Sequence, residues 1–172
     1  MLHTLATVHR ADFDASGQYR YWLERQWQTG APVLSIVMLN PSRADHSVDD
    51  PTLRRVTGLA QGWGFGALIV VNLFAYRTPY PRQLRQVVDP VGVGNDQALL
   101  AAAALGDRLL LAWGNGGSWR HRDRQVITLL QPYWQKWCAI GHNRTGQPRH
   151  PLYARRDVTL QPQGRVYDCR CG

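Results

Sequence analysis

The residues of this chain best suited to chemistry are two amides, an imidazole and a cluster of carboxylates, each inside an apolar run or in the loop that follows one. Asn40 closes the run VLSIVML and precedes Pro41 and Ser42, Asn72 interrupts ALIVVNLF, and His150 lies in RHPLY. An amide carries a donor and an acceptor on one planar group, which is what telling one nucleobase edge from another requires. Asn72 stands in the middle of a buried run, so its donors and acceptor must be met by the core or by a ligand. Taken singly, Asn40-Pro41 is an ordinary turn dipeptide and His150 an ordinary loop histidine. Their placement after successive apolar runs is what singles them out.

Asp45, Asp49 and Asp50 crowd the segment after Asn40. Neighbouring carboxylates raise one another's proton affinity, which suits a general base, and Asp45 is the candidate, with a metal held through His46 as a further option. The bland reading makes Asp50 a helix cap before Pro51 and leaves the other two acids in solvent. Arg54, Arg77 and Arg149 lie in or near the same loops and are candidate phosphate contacts, or else part of a solvated basic face.

The elements that must position these groups follow from hydrophobic pattern. Tyr19 to Trp27 alternates like a half-buried strand at the sheet edge, and Val33 to Leu39 is a strand buried on both faces. Helices are expected over Pro51 to Gln61, Gly94 to Leu105 and Trp119 to Leu130, the first closed by Gly62. Further buried strands are expected at Ala67 to Phe74, Asp107 to Trp113 and Lys136 to Ile140. This alternation predicts an α/β fold, a three-layer α/β/α sandwich around a central, mostly parallel four-stranded sheet. Ligands of such sheets sit beyond the carboxyl ends of the strands, where Asn40, Gly114 to Gly117 and His150 all fall.

The 172 residues suit one domain, with 1–32 as edge strand and lead-in, 33–153 as the α/β core and 154–172 as a C-terminal tail. The net charge is +8 and Lys136 is the only lysine. A basic, arginine-rich domain favours polyanions, so nucleic acid is the expected partner, with DNA favoured; no membrane or protein partner is implied, and a monomer is expected. No apolar run is long enough to span a bilayer, and the first residues lack the apolar stretch of a secretory signal, so the expected location is cytoplasmic. Cys138, Cys169 and Cys171 give neither a disulfide framework nor a four-ligand metal site, and no metal or cofactor is expected.

The segments LNPSRAD, VDDPTLRR, WGFGALIVVNLFAYR, DPVGVGND and RHPLY together resemble a bacterial family known mainly as a domain of unknown function. More distantly, MLNPS, VVNLF, LLLAWG and RHPLY resemble, in order, the motifs of the uracil-DNA glycosylase superfamily. That second resemblance implies a glycosylase-like sheet in which Asn40 aligns the hydrolytic water, Pro41 and Ser42 belong to the base-binding first motif, Asn72 reads the base and His150 stabilises charge on the departing base. Met38 and Ser42 replace the two glycines of the usual first motif, and the late motif reads HPLY instead of HPS. The expected function is N-glycosidic hydrolysis at an altered base in nucleic acid. The alternatives are a non-catalytic module that binds nucleic acid or a nucleotide in the same pocket, and an enzyme of free nucleosides or nucleotides.

Overall fold

In a computed structural model, residues 8–164 are described. Cys169 and Cys171 lie outside them. The fold is α/β, built on a mixed sheet of seven strands: β1 (Val8–Phe13), β2 (Arg20–Gln26), β3 (Val33–Met38), β4 (Ala67–Asn72), β5 (Arg108–Leu111), β6 (Trp137–Ala139) and β7 (Gln161–Pro162). Their order is β1-β2-β4-β3-β5-β6-β7. The centre, β4-β3-β5-β6, is parallel, and β1, β2 and β7 are added antiparallel at its two sides.

Alternation along β3 and β4 sends side chains to two separate cores. Leu34, Ile36, Met38, Leu68 and Val70 pack with Leu53, Val56 and Ala60 of α1 (Pro51–Gly62). On the other face, Val37, Ile69, Val71, Leu109 and Leu111 pack with α3 (Asn95–Leu105) and α4 (Arg122–Leu129), joined by Leu84 of the short helix α2 (Pro81–Leu84). Apolar residues on both faces are why the central strands read as continuous hydrophobic runs. Among the described residues, no helix is long and apolar enough to cross a membrane.

Two expectations are corrected. The strand expected at the edge is β2, and it is an inner strand, because β1 pairs along its whole outer side. β1 (VHRADF) is half exposed and lacks apolar alternation, so nothing in its pattern announces a strand. Within the segment expected as the C-terminal tail, Gln161 and Pro162 pair with Ala139 and Cys138. Finally, the helix expected from Trp119 to Leu130 is two pieces, a 3-10 segment Asn115–His121 and then α4. The break is at Arg120 and His121, whose φ angles of 55° and 54° are left-handed and incompatible with one continuous helix. It turns Trp119 onto Phe74, with ring centres 5.1 Å apart, and buries Arg122.

Candidate functional site

The carboxyl ends of β3 and β4, the first turn of α1 and the start of β2 surround a cavity of about 300 Å³. That volume is at the small end of small-molecule sites. Asn40, Ser42, Asn72 and His150 line it, together with Arg20, Asp50, Thr52 and Thr78 and an apolar floor that includes Leu23, Met38 and Val70. Residues more than a hundred positions apart in sequence therefore meet at one hollow.

Each polar group is held from outside. Asn40 follows β3, and its amide nitrogen donates to the carbonyls of Pro41 (3.0 Å) and Thr78 (2.8 Å). Both its hydrogens are thus spent on backbone, which fixes the amide and leaves its oxygen as the available acceptor. Asn72 ends β4 and is only 2% exposed, yet among the described residues its side-chain oxygen has no hydrogen-bond partner. Its backbone is fastened: Asn95 donates to the carbonyls of Asn72 and Leu73, both at 3.0 Å, and Arg122 donates to Leu73 at 2.9 Å. A strand end carrying a buried amide oxygen without a partner is a costly arrangement unless something else supplies one.

His150 precedes the 3-10 turn Pro151–Tyr153 and its Nδ1 accepts from the backbone N–H of Leu152 at 3.2 Å. The proton of the neutral ring therefore sits on Nε2, making that nitrogen a donor. Burial lowers the pKa of His150 below its ordinary 6.5, against the opposing charge of Asp50. The loop bearing His150 is tied to the end of β5 by a buried chain in which Trp113 Nε1 donates to Gln147 at 2.7 Å and Gln147 donates to Asp123 at 2.7 Å. Gly114, at φ 70°, donates from its backbone to Pro148 and passes beside the Cβ of His150.

Asp45 does not line the cavity. Its Oδ1 accepts from the backbones of Ser47 and Val48 and from the Ser47 hydroxyl, which holds its pKa down at about 2 and keeps it as a turn-forming carboxylate. The acid at the cavity is Asp50, which caps α1 by accepting from Leu53 N at 2.8 Å; its charge favours the protonated forms of both Arg20 and His150. Pro41 is buried beside the cavity without lining it. Among the described residues, no group of three or more His, Cys, Asp or Glu could hold a metal ion.

The three arginines marked for phosphate are dispersed. Arg77 donates to the carbonyls of Ser42 (3.1 Å) and Arg43 (2.9 Å), so it braces the loop after Asn40. Arg54 donates to the Asp49 carbonyl and stays exposed on α1. Arg149 donates to the His142 carbonyl and borders a second, wider hollow of about 580 Å³. His150 belongs to both hollows, and Tyr153, 91% exposed, stands at the rim of the second.

Sequence reasoning missed Arg20, which lines the cavity from β2 at 4% exposure. Its Nη1 donates to the Ala44 carbonyl at 2.6 Å, its Nε has no partner, and burial brings its pKa down to about 10, so it remains a cation at neutral pH. The only signal was a charged residue in a strand whose neighbours alternate. Asn95 and Arg122 were missed as well, since a helix start and a helix arginine look ordinary until their partners are known.

A family model described as "Protein of unknown function (DUF1643)" matches residues 20–152. Every residue lining the cavity, from Arg20 to Leu152, falls inside that span. No curated protein and no solved structure matches the chain.

Proposed function

The chain belongs to the DUF1643 family, and from that premise we propose that its cavity binds a nucleobase and that the protein is an N-glycosidic hydrolase, glycosylase-like in its sheet and acting on an altered base in nucleic acid, DNA in preference. The observation that carries this reading is the unpartnered side-chain oxygen of Asn72, a residue that lines the cavity together with Asn40 and His150. A flat ligand rich in donors and acceptors would satisfy it, and a nucleobase is such a ligand.

Cleavage of an N-glycosidic bond builds positive charge on the sugar and negative charge on the base. Asn40, with its hydrogens fixed on Pro41 and Thr78, presents an oxygen that can accept from a water molecule and align it on the sugar carbon. Asp50, which lines the cavity, is the carboxylate that draws a proton from that water, the part expected of Asp45 from its spacing. His150, neutral and carrying its proton on Nε2, donates to the oxygen of the departing base; a neutral donor in a shielded site stabilises such charge without first having to lose a proton. Arg149, at the second hollow, meets phosphate of the strand that bears the base.

The test uses single-stranded and duplex oligonucleotides containing uracil, hypoxanthine or another altered base. Alkali-labile abasic sites should form with the wild-type chain and vanish with Asn40→Ala. If no substrate in the panel yields abasic product across pH 5 to 9, hydrolysis is ruled out. One observation favours a second reading without turnover: Ser42 lines the cavity with a side chain where glycine would leave room. A binding module of that kind would retain oligonucleotides, release them as salt rises, and leave them intact.

A further inference from the structure

Two residues that line this cavity each carry a buried polar atom with no hydrogen-bond partner among the described residues, and the two atoms are of opposite kinds. One is the Nε donor of Arg20 on β2 and the other the side-chain oxygen of Asn72 on β4. The strands are antiparallel neighbours, with Leu23 opposite Val70, so the start of β2 lies alongside the end of β4. The Arg20 backbone N–H donates to the Ala75 carbonyl at 3.0 Å, which ties the arginine to the segment just past Asn72.

The two side chains differ in what they can accept. An amide can turn over and present either a donor or an acceptor, so Asn72 suits either polarity of ligand edge. A guanidinium has donors only. Arg20 can also not swing away, being 4% exposed and anchored through Nη1 to the Ala44 carbonyl. Among the described residues no carboxylate forms an ion pair with it, although the neighbouring arginine on the same strand, Arg25, is paired with Asp49 at 2.7 Å.

We infer that Arg20 is the specificity-determining residue of the cavity, donating from Nε to an exocyclic oxygen of the base and thereby selecting bases with an oxygen beside a ring N–H over bases with an amino group beside a bare ring nitrogen. The oxygen meets Arg20, and the adjacent N–H meets the Asn72 oxygen. An amino base reverses that order and sets its own hydrogens against the guanidinium. The inference rests on the base-binding reading above and adds to it a polarity, fixed by a residue outside the parallel centre of the sheet.

The experiment compares matched pairs on the full chain by calorimetry: uracil against cytosine, and hypoxanthine against adenine. In the wild type, the oxygen-bearing member of at least one pair should bind about tenfold more tightly or better, the loss expected when a buried hydrogen bond to a charged donor is left unmade. Arg20→Met and Arg20→Gln, checked for folding by melting, should bring that ratio to near one by weakening the oxygen-bearing member. A merely structural role would weaken both members alike and keep the ratio. Equal binding of both members by the wild type overturns the inference while leaving base binding intact, as does a ratio preserved in a folded variant. Failure to bind any of the four bases defeats the base-binding reading itself, and this inference with it. If neither variant folds, the wild-type ratios still decide.

Discussion

Asn95 donates from its side-chain amide to the backbone carbonyl of Asn72 at 3.0 Å, while the side chain of Asn72 keeps a buried oxygen without any partner. One fully buried asparagine is thus spent holding another in place. That relationship separates the positioning of the strand end from the group it presents, and the two can be perturbed independently.

Asn95→Ala removes donors from two buried carbonyls, one of which Arg122 still serves. It should cost about 2 to 3 kcal/mol of stability. By contrast, Asn72→Ala should leave stability nearly unchanged or raise it, because it removes an unsatisfied buried atom. Denaturant titration of the two variants checks the difference, and equal large losses would mean that Asn72 has a structural partner after all.

His150 sets an expected acid limit. Burial lowers its pKa below 6.5 in the folded chain, so the neutral ring is favoured there. Its contribution is complete above about pH 6.5, the unfolded value, and is lost as pH falls below it. Protonation also places a hydrogen on Nδ1, where the Leu152 N–H now donates. Base affinity and any abasic-site formation should be flat near pH 7 to 8 and fall on the acid side, and His150→Ala should abolish that dependence together with most of the activity.

Asp45 predicts a separate transition at lower pH. Its carboxyl titrates at about 2 in the folded chain because two backbone N–H groups and a hydroxyl favour the anion. The stabilisation is present above the ordinary carboxylate value near 4 and disappears as pH falls toward 2. Asp45→Ala should cost about 1 kcal/mol at pH 7, and the cost should shrink in that acid window while base binding at pH 7 drops only modestly. A total loss of activity with stability unchanged would instead restore Asp45 as the catalytic acid or base.

Gly117 tests the support of the late loop. A Cβ built there would lie 2.0 Å from Cδ1 of Trp113, a fully buried ring whose Nε1 anchors Gln147. Gly117→Ala should therefore lose about 2 kcal/mol and several degrees in melting temperature, and it should disturb His150 through Gln147. Gly116→Ala meets only the flexible end of Leu39 and should be milder.

Much of the fold was legible because buried parallel strands carry continuous apolar runs: β3, β4, β5 and β6 lie within the segments that hydrophobicity marked. The cap of α1 was legible too, since Asp50-Pro51 is chemistry local to four residues. β1 and β7 were not, because a half-exposed strand of mixed polarity and a two-residue strand have no period to read. At the cavity, Asn72 stood out as a polar group inside an apolar run, whereas Asn40 and His150 were marked only by their order after successive runs. Asp45 and Asp50 could not be ranked from sequence, since which carboxylate a turn consumes depends on the backbone that closes around it. Arg20 was hidden for a related reason: its side chain is held by the first loop, at the Ala44 carbonyl, which is distant in sequence.

Delivery of Arg20 by an antiparallel strand has a consequence for how this protein tolerates change. Side chains on a strand alternate between faces, so sliding β2 by one residue against β4 would swing Arg20 to the far side of the sheet and bring a neighbour into its place. If Arg20 selects the base as proposed, the pairing that starts at Leu23 and Val70 would therefore act as a recognition element in its own right. A one-residue insertion in the turn before β2 could erase discrimination between bases while every residue lining the cavity kept its identity.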